Sequence, residues 1–118
     1  MNSETLAHHL ISLKGAESSY PFGPEALVFK VMGKMFALVT EAEEPPRVTL
    51  KCSPPDCEVL VSQFDSIVPG YHMNKNHWIT VSLTGEVPEA MLIDLANRSY
   101  ELVVSKLCRA SKDELDQR

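Results

Sequence analysis

Two short runs, residues 47–52 and 77–83, alternate apolar and polar side chains with a period of two. In the first, Val48, Leu50 and Cys52 point to one side while Arg47, Thr49 and Lys51 point to the other. In the second, Ile79, Val81 and Leu83 form the inward set, and Trp78, Thr80 and Ser82 face away. Strands patterned this way have a single dry face. They build an antiparallel sheet covered on one side, and they exclude a parallel sheet buried on both faces, whose strands are continuously apolar.

The cover is helical. Ser3 is placed to cap a first helix, with Leu6, Leu10 and Leu13 on one face and Gly15 after it. Ser53 and Pro54 open a second helix, with Cys57, Leu60, Val61 and Phe64 as its apolar face. Pro88 opens the longest helix, striped by Leu92, Leu95, Ala96, Ser99, Leu102, Val103 and Leu107. Ser111 and Glu114 have capping-box spacing and predict a last short helix. Two further strands, 27–32 and 35–40, flank Gly33-Lys34 and predict a hairpin with a two-residue turn. Residues 18–24, rich in Ser, Pro and Gly, read as a loop, as does the acidic, proline-bearing stretch 41–46. The expected fold class is therefore α+β, an antiparallel sheet of four to five strands packed on one face by helices.

At 118 residues the chain is expected to form one domain, spanning 1–118. A domain of this size buries roughly 65% of the surface its unfolded chain exposes, enough for a core without metal or disulfide staples. No apolar run approaches the length of a membrane span, and the first residues lack the pattern of a signal peptide. Three cysteines without an export signal fit a reducing compartment, so the expected location is the cytoplasm, with no membrane association. The net charge is −5, acidic for a nucleic-acid-binding domain. The charge is nonetheless segregated: residues 66–85 contain no acid, while seven lie from Glu86 onward.

The run Pro69-Gly70-Tyr71-His72-Met73-Asn74-Lys75-Asn76-His77-Trp78-Ile79-Thr80-Val81 resembles the MmcQ/YjbR-like family of small bacterial proteins. Lys14-Gly15-Ala16-Glu17, the hairpin 31–37 and Thr49-Leu50-Lys51-Cys52-Ser53-Pro54 agree with it in the same order. The chain departs from the family's proline- and lysine-rich ending, carrying Leu107-Cys108-Arg109-Ala110-Ser111 after the last long helix. The resemblance implies a helix-flanked antiparallel sheet in a double-wing arrangement, with DNA binding as its usual assignment.

The alternation gathers Lys30, Arg47, Thr49, Lys51, Trp78, Thr80 and Ser82 on the outward face, with Lys34 at the hairpin tip. Cations, hydroxyls and one aromatic suit a phosphate backbone and a stacked base. In the loop before the last strand, Lys75 is a candidate phosphate contact, Asn74 and Asn76 could reach bases or sugars, and His77 is a further candidate contact that could equally brace the loop with Tyr71. The same Asn residues also suit turn closure. Val28 and Met32 share the parity of Lys30, so the face equally suits a partly apolar protein interface. Cys52, Cys57, His72 and His77 offer four soft ligands, but the cysteines lie on inward positions without the tight spacing of a zinc site and read as buried free thiols. No metal or cofactor is expected. No nucleophile-base pair, carboxylate pair or glycine-rich phosphate loop stands out, so no catalytic residues are assigned. The expectation is a non-catalytic DNA-binding protein that uses the outer sheet face and residues 74–78, with a protein-interaction module on the same face as the alternative.

Overall fold

The computed structural model of the chain describes residues 2–21, 23–40, 45–70, 74 and 76–118. Its elements run α1 (Ser3–Ser12), β1 (Ala16–Ser19), β2 (Leu27–Val31), β3 (Lys34–Thr40), β4 (Arg47–Lys51), α2 (Pro54–Gln63), β5 (Ile67–Pro69), β6 (Trp78–Ser82), α3 (Glu89–Ser105) and α4 (Arg109–Asp116). One six-stranded sheet has the order β1-β2-β3-β4-β6-β5, and every neighbouring pair is antiparallel. β4 and β5 both run antiparallel to β6, so they are parallel to each other, and α2 is the crossover between them.

The register sorts side chains onto two faces. Phe29, Ala37 and Leu50 form one cross-strand row, and Val39, Val48, Val81 and Ile67 another. These rows meet Leu6 and Leu10 of α1, Cys57 and Leu60 of α2, Leu92, Leu95 and Val103 of α3, and Leu115 of α4 in one apolar cluster. All four helices therefore cover the same face. Each fully buried Leu, Ile or Phe stabilises this core by about 1.5–3 kcal/mol.

The α+β architecture holds, with six strands in place of four to five. The two strands the alternation misses are those at the sheet edges. β1 reads Ala-Glu-Ser-Ser and β5 has three residues. Edge strands held by backbone pairing on one side can carry charged and polar side chains, which leaves little pattern to read. The hairpin differs by one residue: Val31 pairs with Lys34, and the turn is Met32-Gly33, with φ of 50° and 81°. Two positive φ values in a row define the type I′ turn that matches strand twist.

Helix starts also differ. Asn2 rather than Ser3 caps α1, its Oδ1 accepting from the Thr5 N–H at 2.7 Å. α4 begins at Arg109 with Cys108 as its N-cap, three residues before the expected capping box, and the Cys108 thiol donates to Ser111 Oγ at 3.3 Å. Ser53 and Pro54 open α2 as the sequence implies. Among the described residues, no helix is long and apolar enough to cross a membrane.

A bulge in β3 has the largest consequence for the faces. Phe29 pairs with Ala37 but Lys30 pairs with Met35, so Phe36 is left over. Its ring turns to the helix side and meets Tyr100 of α3 edge-on, with centroids 5.3 Å apart. The same irregularity exposes backbone polar groups to a dry environment. Ser99 of α3 answers them: its hydroxyl donates to the Phe36 carbonyl at 2.5 Å and accepts from the Lys51 N–H at 2.8 Å.

Candidate nucleic-acid interface

The face opposite the helices is built on a row of directly paired residues: Val28, Leu38, Thr49, Thr80 and Val68, one from each of β2, β3, β4, β6 and β5. Lys30, Met35, Lys51 and Trp78 lie toward one end of that row, and Thr40, Arg47 and Ser82 toward the other. Lys30, Arg47, Lys51 and Trp78 thus share one surface, as the alternation requires. Arg47 and Lys51 sit four residues apart on β4, about 13 Å along the strand.

The hydroxyls behave differently from the sequence expectation. Thr49 and Thr80 are on the outward face, yet they are 4% and 3% exposed, and their Oγ1 atoms lie 2.9 Å apart in a mutual hydrogen bond. They hold β4 to β6 and do not present hydroxyls to a ligand. Val28 is likewise buried at 1% exposure, outside the helix-side cluster. Met32 is not on this face with Lys30; it sits in the turn.

Trp78 is half-buried on β6 directly opposite Lys51, whose Nζ lies 5.8 Å from the ring centroid, within cation–π range. The close approach of Gly70 positions the strand that carries it: its N–H donates to the Trp78 carbonyl at 2.7 Å, and a Cβ on Gly70 would overlap Trp78 Cβ. The preceding loop is closed by Asn74, whose Oδ1 accepts from the Asn76 N–H at 3.0 Å and whose carbonyl accepts from the His77 N–H at 3.0 Å. Asn74 therefore serves the turn, while His77 stays exposed and its carbonyl accepts from the Cys52 N–H at 2.8 Å. The assignments of Lys75 and His72 lie outside the described residues. Lys34 pairs with Val31, a residue of the helix-side face, and projects from the sheet margin rather than joining Lys30.

Charge separates with the architecture. The four helices carry nine acidic and three basic residues, whereas the six strands carry one acidic and four basic. The single strand acid, Glu17, stands opposite Lys30. A molecule of net charge −5 thus gathers Lys30, Arg47 and Lys51 on the open face and most of its carboxylates on the helices. Sequence reasoning missed Leu38 and Val68 on this face. Leu38 is separated from Phe36 only by the bulge, which no local pattern announces, and Val68 lies in a three-residue edge strand.

Cys52 and Cys57 are buried free thiols, and burial pushes Cys52 up to about 12, helped by the nearby Cys57 and Asp56. Cys57 is raised as well, chiefly by burial. Among the described residues no cluster of three or more His, Cys, Asp or Glu side chains is arranged to hold a metal ion.

A six-stranded antiparallel sheet with helices on one face and a cationic, partly apolar opposite face defines a small α+β protein of the YjbR type. The YjbR family model matches residues 11–102, and the chain belongs to that family. It is 43% identical over 106 residues to the uncharacterised protein YbdF of Escherichia coli O157:H7, covering 90% of this chain and 87% of that one. It is 36% identical over 107 residues to the uncharacterised protein YjbR of Escherichia coli K12, covering 91% of each. The crystal structure of the Deinococcus radiodurans protein DR2400, of the DUF419 domain, is similar at a TM-score of 0.90 and 38% identity, over 98% of this chain and 88% of that one. A crystal structure of a Pseudomonas syringae protein is similar at a TM-score of 0.76 and 28% identity, over 86% of this chain and 98% of that one.

Proposed function

We propose that the protein is a non-catalytic, cytoplasmic DNA-binding protein whose contact surface is the open sheet face. The observation that carries this reading is the segregation of charge between elements: the strands, with Lys30, Arg47 and Lys51, carry one acid, while the helices are strongly acidic. An anionic polymer is drawn to that face and repelled by the helices, which orients it without base-specific contacts. Trp78, already stacked against Lys51, adds an aromatic edge for an unpaired base. His77 and Ser82 flank the cations and supply polar contacts.

The test is a salt titration of binding to unrelated duplex and single-stranded DNA. Phosphate-driven binding to duplex weakens with a slope near −0.9 per phosphate contact in log K against log salt. In the combined Lys30→Ala, Arg47→Ala, Lys51→Ala variant, binding falls below detection while the fold is retained, which circular dichroism and urea denaturation check, since the three half-buried side chains lie outside the apolar core. Unchanged binding by the folded variant removes this face as the site.

A second reading, docking of a partner protein, draws on Leu38 and Val68. They place an apolar side chain on either side of the Thr49–Thr80 pair, and Val68, on the edge strand, is 42% exposed. In that case the cation variant keeps its partner, and Val68→Asp loses it.

A further inference from the structure

α2 packs on β5 and β6, whereas α3 packs on β2, β3 and β4, and the two helices straddle a groove floored by the ends of β4 and β6. At one end of the groove lies a chamber of about 190 Å³, walled by Val59, Leu60, Ile79, Leu95 and Leu102. The buried Cys52 thiol, held protonated by its surroundings, adds a further soft wall. A dry cavity of about 150 Å³ lined by such side chains accommodates a benzene ring. The chamber has room for one aryl ring or a branched alkyl group on its apolar side, with Asp56, Asp94 and Arg98 on its polar side. Val59 is 50% exposed at its rim, an apolar residue left uncovered by the fold.

The groove continues into a second, shallower chamber that shares Asp56, Arg98 and Leu102 with the first and adds Ser53, Glu101 and Ser105. Its chemistry is that of an acceptor. Arg98 is ion-paired with Asp94, Nε to Oδ2 at 3.0 Å, and the exposed acids Asp56 and Glu101 line the second chamber beside it. The Ser105 hydroxyl donates to the Leu102 carbonyl at 2.7 Å, and its lone pairs remain for a ligand. α3 ends here with no basic residue in its last turn and with Lys106 as its C-cap. The positive end of α2, which would oppose a cation, is already offset by Asp56 in its first turn.

We propose that this groove binds a small organic amine, its aryl or branched alkyl group in the chamber beside Leu60 and Leu95 and its ammonium between Asp56 and Glu101. The site is separate from the sheet face, and its occupancy does not depend on DNA binding.

The experiment is a methyl NMR titration of the full chain with 2-phenylethylamine at constant ionic strength, alongside phenylacetate and 2-phenylethanol. The amine shifts the methyl resonances of Val59, Leu60, Leu95 and Leu102 saturably, and the acid and the alcohol bind at least tenfold more weakly. The Asp56→Asn, Glu101→Gln variant binds the amine at least tenfold more weakly, while a Glu86→Gln, Asp113→Asn variant of equal charge change binds as the parent does. Three outcomes overturn the proposal: no saturable shift in these residues, equal binding of all three probes, or equal weakening by the two charge variants.

Discussion

The helix-covered face and the open face of the sheet both bury hydroxyl groups, and they use them in opposite ways. On the covered face Ser99 reaches from α3 into the sheet, donating to the Phe36 carbonyl and accepting from the Lys51 N–H. That hydroxyl repairs a break in the ladder. On the open face Thr49 and Thr80 bond each other across an unbroken ladder. The first hydroxyl compensates for irregular backbone and the second pair replaces contact with water, so shape is fixed from the helix side while the open side is left to carry charge. Lys30, Arg47 and Lys51 belong to the side whose backbone they do not have to hold.

This division is broken first by truncating Phe36. It is fully buried against Tyr100, and Phe36→Ala is expected to destabilise the fold by about 3–5 kcal/mol. Urea denaturation measures the loss. A cost under about 1 kcal/mol would mean that the bulge side chain is not part of the core. Ser99→Ala is the next largest, at about 1–3 kcal/mol, because it takes the Ser99 partner from a buried carbonyl and a part-buried N–H. Faster hydrogen exchange confined to the Lys51 amide would locate the loss at this bridge.

The thiols sharpen the contrast at high pH. With Cys52 raised from 9.0 to about 12 and Cys57 raised as well, the folded state holds protons that the unfolded state releases above pH 9. The stability they contribute is complete below pH 9 and is lost as pH climbs toward 12. Cys52→Ala, Cys57→Ala is expected to flatten that decline in a denaturation series from pH 8 to 10.5. Cys108 behaves oppositely: exposed, and lowered by hydrogen bonds from Ser111, it reacts with iodoacetamide before the buried pair.

Legibility in the sequence follows the same division. Central strands β4 and β6 alternate cleanly because one of their faces meets the core, and α3 shows its stripe for the same reason. Lys30, Arg47, Lys51 and Trp78 were thus placed on a common face by parity alone. What parity could not supply was the bulge at Phe36, a long-range consequence of pairing with β2, or the burial of Thr49 and Thr80, which depends on neighbours across the sheet. Nor could it supply β1 and β5, whose residues answer to backbone pairing at the edges. The groove between α2 and α3 was equally hidden, since neither helix shows in its own stripe that the other stands apart from it.

The smallest expected effect concerns Lys51 and Trp78. Their side chains meet on the open face, where water competes for the ammonium, so the contact is worth about 0.5–1 kcal/mol. A double-mutant cycle with Lys51→Met and Trp78→Leu isolates that coupling from the burial each side chain contributes alone. If Trp78 belongs to a ligand face, the coupling stays small, the indole of the half-buried Trp78 emits at an intermediate wavelength, and single-stranded DNA quenches it. Lys51→Met then weakens DNA binding more than it weakens folding, because the lysine answers phosphate as well as the ring. If instead Trp78 is a packing residue, Trp78→Leu costs several times the coupling energy and the emission ignores DNA. That result would give the open face a structural core of its own and remove the asymmetry on which the binding proposal stands.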